Sequence, residues 1–85
     1  MKIKEEYSLI TENGQNIVVC KNKGFSNSII LSHISAAIFN KLKEKDCSKE
    51  ELLHFLLDNF DISTVLALSD LDIFIKLMKE NDILE

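Results

Sequence analysis

Several residue types that would announce a chemistry are scarce or missing in this chain of 85 residues. Arginine, the commonest reader of guanine, is absent, so every basic residue is a lysine. Only Gly14 and Gly24 are glycines, both in turn contexts, which leaves no glycine-rich loop to cradle a phosphate. Proline is missing altogether, and no repeat, low-complexity stretch or linker interrupts the chain, so residues 1–85 read as one domain. Two cysteines, Cys20 and Cys47, are too few for a disulfide framework. The start, Met1-Lys2-Ile3-Lys4-Glu5-Glu6, has no apolar core of a secretory signal, so both read as reduced thiols of a cytoplasmic protein. No apolar run approaches the ~20 residues of a membrane span. A net charge of −4 disfavours non-specific binding to nucleic acid or anionic membranes, both of which rely on a surplus of Lys or Arg.

What remains is an ordinary globular composition, 46% hydrophobic and 28% charged, enough of each to argue against disorder. The first third is β-like. Ile3, Glu5, Tyr7 and Leu9 alternate with Lys2, Lys4, Glu6 and Ser8, the period of a strand with one wet face. Asn13-Gly14 is a strong hairpin signal, because both residues tolerate positive φ. Gln15 to Lys21 returns as a second strand, Asn22-Lys23-Gly24 reads as a second turn, and Ser28 to Ser32 as a third strand. The rest is helical. Ile34, Ala37, Ile38 and Leu42, with Phe39 beside them, predict a helix from about Ile34 to Lys45. Ser48-Lys49-Glu50-Glu51 is a capping box opening a second helix, whose core stripe is Leu52, Phe55, Leu56 and Phe60. Asp61 to Ala67 reads as a connector, and Ser69-Asp70-Leu71-Asp72 as the cap of a third helix with acidic residues in its first turn. Ile83 and Leu84 are expected to fold back onto the core. The fold class is α+β, a winged-helix-like order β-β-β-α-α-α with an antiparallel sheet.

The last helix carries two apolar faces. At 100° per residue Leu71, Phe74, Ile75 and Met78 share one stripe, the signature of a helix buried against a core. Ile73 and Leu77 stand four apart and lie off that stripe, nearer Asp70 and Glu80. A small domain needs one buried face per helix, so this pair asks for another occupant: a strand of the same domain, a second copy of the chain, or a ligand. A second feature points the same way. From Gly24 to Asn40 there is no Asp, Glu, Lys or Arg. Exposed sheet edges are normally guarded by charge, and an unguarded edge is suited to pairing with an added strand. The same lack of charge also suits a central, buried strand, so the strand by itself leaves both readings open.

Other chemistries find little support. His33, His54, Cys20 and Cys47 form no close-spaced set of zinc ligands. The carboxylates are scattered over wet helix faces, and no acid–base or nucleophilic constellation assembles, so the chain reads as non-catalytic, with no metal and no cofactor. A winged-helix DNA reader is opposed by charge: from Ser69 to Glu85 two lysines face five acidic residues. A self-associating or adaptor module using Ile73 and Leu77, a homodimer included, stays open.

Leu31-Ser32, Ala36-Ala37-Ile38, Leu42, Ser48-Lys49-Glu50-Glu51-Leu52, Phe60-Asp61, Asp70-Leu71, Phe74-Ile75, Met78 and Ile83-Leu84 together resemble the PqqD-like family. Its namesake is the small protein D of pyrroloquinoline quinone biosynthesis. The resemblance covers nearly the whole chain as a pattern of small and apolar positions. It departs at Ser32, where Asn is usual, and at Asp82, where Gly is usual. The resemblance implies a domain that binds the leader segment of a ribosomally made precursor peptide and presents it to a modifying enzyme or leader peptidase. The leader is then an extra strand on the edge of the third strand, against the third helix. Carried over by position, the edge is Ser28, Ile29, Ile30, Leu31 and Ser32. The helical wall includes Ile73 and Leu77, with Asp70, Lys76 and Glu80 at its rim and Lys76 as partner for an acidic leader residue. Whether the precursor is lasso-type, thioether-linked or a quinone precursor stays open.

Overall fold

The sheet starts from a tight hairpin. In a computed structural model of the chain, Asn13 and Gly14 have φ of 53° and 77° and form the two-residue loop that sets Glu12 opposite Gln15. Both central residues of a type I′ turn need positive φ, which Asn and Gly supply with least strain. The structure describes the backbone of residues 1–21 and 24–85 and the side chains of residues 1–21 and 29–85. The elements are β1 (Tyr7–Glu12), β2 (Gln15–Cys20), β3 (Gly24–Leu31), α1 (His33–Glu44), α2 (Lys49–Asn59) and α3 (Thr64–Glu80). This is the expected α+β order, an antiparallel sheet β1-β2-β3 followed by three helices. The turn expected at Asn22-Lys23-Gly24 falls partly outside the described residues. Side chains alternate across the sheet. Leu9, Val18 and Ile29 stand in one cross-strand row and turn onto the helices, where Val18 is buried.

One sequence expectation changes at the N-terminal end. The alternation from Ile3 to Leu9 is not one strand. Ile3 instead pairs with Leu84 in an isolated antiparallel bridge, and a turn at Glu5 and Glu6 precedes β1. The Lys4 N–H donates to the Ile83 carbonyl at 2.9 Å and the Glu85 N–H to the Lys2 carbonyl at 2.9 Å, clasping the two ends of the chain together. Ile83 thereby enters the core, as expected. The period-2 pattern arose from two separate extended pieces that share a phase, which no local rule separates.

Each helix begins on a serine cap. The Ser32 hydroxyl accepts the Ser35 N–H at 3.2 Å, so Ser32 starts α1 instead of ending β3, and it does the capping work that an asparagine there would do. Ser48 and Glu51 form the expected reciprocal box, each side chain taking the other's backbone N–H at 3.1 Å. That bond holds the Glu51 carboxyl below its ordinary value, with the Lys45 charge adding to it. The third helix starts earlier than expected. Its cap is Ser63, whose hydroxyl accepts the Leu66 N–H, and the helix runs 17 residues. Ser69-Asp70-Leu71-Asp72 looks like a start, but the Ser63 cap begins the helix about one and a half turns earlier, through the exposed β-branched Thr64 and Val65, with Ala67 the buried residue of this stretch.

The end of α3 accounts for the second departure from the family pattern. Asp82 has φ of 55°, the left-handed conformation that glycine ordinarily supplies. Its N–H donates to the Lys79 carbonyl and that of Ile83 to the Met78 carbonyl, the paired bonds of a Schellman motif. Met78 and Ile83 close it with an apolar contact inside the core. Asp82 also lies 3.0 Å from Lys4, and this hydrogen bond raises the lysine above its ordinary value.

The core is built from one face of each helix: Ile38, Phe39 and Leu42 of α1, Leu52 and Leu56 of α2, and Leu71, Phe74 and Met78 of α3. On α1 the buried face is rotated toward Ala36 and Phe39, leaving Ile34 and Ala37 half-buried, because α1 lies between the sheet and the other two helices. At one end the His33 ring meets Phe60 edge-on, centroids 5.7 Å apart. This contact ties the β3–α1 junction to the α2–α3 junction.

Candidate peptide interface

Two unpartnered features meet the requirements of strand addition. The first is the edge of β3. That strand pairs with β2 alone among the described residues, so its other side presents free backbone N–H and C=O groups. Ile29 is half-buried on the core face, Leu31 is buried, and Ile30 points to the opposite face with 59% of its surface exposed. The register with β2 shifts between Val18 and Cys20, an irregularity of the kind that bends a strand. The Ser28 backbone is part of β3, while its side chain falls outside the described residues.

The second feature is one flank of α3. Leu66, Asp70, Ile73 and Leu77 follow the spacing i, i+4, i+7, i+11 and so share a stripe beside the buried one. Leu66 is 57% and Ile73 is 62% exposed, Asp70 is half-buried, and Leu77 is half-buried against the core. The stripe is turned away from α2, since Asp72 on the other flank is ion-paired with Lys49 at the start of α2. The His33–Phe60 contact brings the C-terminal end of α2, just before α3, against the start of α1, just after β3. From Leu66 to Leu77 the stripe is about 16 Å long at the 1.5 Å rise of a helix, enough to line some five residues of an extended strand.

Asp70 and Glu80 flank Ile73 and Leu77 on this stripe. Exposed Lys76, 4.0 Å from Glu80, lies at its outer border, and both edge a shallow depression shared with Met1, Lys49, Asp72, Ile75 and Lys79. Leu66 was missed by sequence reasoning because the helix was started too late. The available signal was the uncharged run Ile62 to Ser69.

The chemistry on offer is main-chain hydrogen bonding beside an apolar wall. Among the described residues no polar or charged side chain is buried, and no three His, Cys, Asp or Glu side chains stand together as metal ligands. Cys20 is half-buried, Cys47 is buried, and both are free thiols.

Two solved structures have this architecture. TbiB1 in complex with the TbiA(beta) leader peptide matches with a TM-score of 0.76 and 18% identity, covering 100% of this chain and 95% of that one. A lasso peptide synthetase B1 complexed with the leader peptide matches with a TM-score of 0.72 and 18% identity, covering 96% and 93%. This chain has the fold of lasso peptide synthetase B1. The match covers nearly all of both chains. No family model and no curated protein matches the sequence. At 18% identity it is the backbone fold that is shared.

Proposed function

We propose that this chain is a non-catalytic recognition protein of the PqqD-like kind. It binds the leader segment of a ribosomally made precursor peptide and presents it to a modifying enzyme or leader peptidase. The observation that carries this reading is an open β3 edge together with an apolar, uncovered flank on α3, in a fold shared with two structures solved in complex with leader peptides. The leader adds as a fourth strand. Main-chain bonds to Ile29, Ile30 and Leu31 give affinity, and Leu66, Ile73 and Leu77 give the apolar wall that selects alternate side chains. Asp70 sits at that wall as an acceptor for a polar or basic leader residue. Lys76 and Glu80 stand at the rim of that wall, with Lys76 as partner for an acidic leader residue.

Isothermal titration calorimetry with the leader of the precursor peptide encoded beside this chain tests the proposal. The expected result is saturable one-to-one binding with a negative ΔCp, the mark of buried apolar surface, and no heat with a scrambled leader. Equal binding of the scrambled peptide refutes it. Presentation is read separately. Adding the chain should raise the partner enzyme's rate on full-length precursor and leave unchanged its rate on a precursor lacking the leader.

A further inference from the structure

The outer face of the sheet carries a feature that the leader groove does not use. Ile10 stands opposite Ile17, and Ile17 opposite Ile30, so three isoleucines form one cross-strand row running to the open edge. The row lies on the side away from the helices. The neighbouring row, Leu9–Val18–Ile29, packs on the core, whereas none of Ile10, Ile17 and Ile30 does. Ile10 and Ile17, each with a strand beside it, are half-buried, while Ile30 at the edge is 59% exposed. The adjoining rows on this face are Glu12–Gln15 on one side and Ser8–Val19 on the other. Apart from Val19 the apolar surface here is one row wide, ends at β3, and is far smaller than the ~800 Å² per partner of a standard protein–protein interface.

We infer that this row is a specificity determinant for the recognised peptide, continued by a fourth apolar side chain from the added strand. The inference rests on the strand-addition reading. A strand paired to β3 places one residue directly beside Ile30, with Cβ atoms about 5 Å apart, and a β-branched or aromatic side chain there completes the row. The residues before and after it point to the opposite face, toward Leu66, Ile73 and Leu77. The recognised segment is thus apolar at three or more consecutive positions. A peptide that alternates apolar with charged residues, as a strand with one wet face does, puts a charge beside Ile30 and is rejected.

The test uses the fluorescein-labelled leader of the precursor encoded beside this chain, with wild type, Ile30→Thr, Ile30→Val and Ile73→Asp. Threonine keeps the β-branched shape and removes apolar surface, so Ile30→Thr should raise Kd about three- to fivefold while Ile30→Val stays near wild type. A filtered NOESY spectrum of the wild-type complex should show Ile30 methyl contacts to a peptide side chain, a readout independent of whether any variant folds. Unchanged Kd for Ile30→Thr and no Ile30 contacts, with a large loss for Ile73→Asp, overturn the row and leave the groove standing. No loss for Ile73→Asp overturns the groove itself. Dimerisation of the free protein that Ile30→Thr abolishes assigns the row to a second copy and overturns the inference.

Discussion

Ile73→Ala isolates the second face of α3 from the first. About two thirds of the Ile73 side chain faces water, the remainder lying along the helix surface. Removing three carbons from a fully buried isoleucine forfeits roughly 2.4 kcal/mol at ~0.8 kcal/mol per methylene. If the leader covers the 62% now exposed, the part of that energy belonging to the complex is about 1.5 kcal/mol. Kd should therefore rise about tenfold. The part already realised in the free protein is about 0.9 kcal/mol, and alanine recovers some 0.4 kcal/mol of helix propensity, so stability should fall by only about 0.5 kcal/mol. Fluorescence anisotropy with the labelled leader reads the first quantity and urea denaturation the second. A Kd within twofold of wild type, or a stability loss above about 2 kcal/mol, refutes the assignment of Ile73 to a binding face. Leu77 is a poorer probe: it is half-buried against the core, so Leu77→Asp disturbs fold and binding together.

Further substitutions test the rest of the account. Leu66→Ser should weaken leader binding several-fold with little change in stability, since 57% of Leu66 is exposed; an unchanged Kd would confine the wall to Ile73 and Leu77. Leu71→Ala should cost about 2–5 kcal/mol in urea denaturation, and a loss below about 1 kcal/mol would contradict its place in the core. Asp82→Ala should lower stability by about 1 kcal/mol because alanine resists the left-handed conformation, whereas Asp82→Gly should stay within about 0.5 kcal/mol of wild type; equal losses would move the effect to the Lys4 ion pair. The depressed carboxyl of Glu51 contributes stability that is fully present above its ordinary value of 4.5 and is lost as pH falls through the lower folded value. Melting temperature should therefore drop more steeply between about pH 5 and pH 3 in wild type than in Glu51→Gln, and parallel curves would refute the role of the box.

Where a local rule and the tertiary fold agree, the sequence could be read directly. Asn13-Gly14 makes the hairpin, Ser48 and Glu51 make the capping box, and Leu71, Phe74 and Met78 face the core at their helical spacing. The misreadings have different causes. Ile3 joins Leu84 across nearly the full length of the chain, which no local window shows, whereas α3 starts on Ser63, one of two serines that could cap it. The site was half legible as a result. Ile73 and Leu77 announced a second face, but starting the helix at Ser69 hid Leu66, and which flank of α3 meets α2 shows only in the Lys49–Asp72 pair. The departures at Ser32 and Asp82 proved to be chemical equivalents, one capping a helix and the other adopting positive φ.

Addition of a strand at β3 is tested most directly by a ¹⁵N–¹H shift titration with the leader, followed by amide exchange of the complex. The account predicts shifts concentrated in β3 from Ser28 to Leu31 and on α3 at Leu66, Ile73 and Leu77, with new exchange protection along the β3 edge. Shifts confined to α3 with no protection gained in β3 would show the leader held by the helix alone, and strand addition would be wrong.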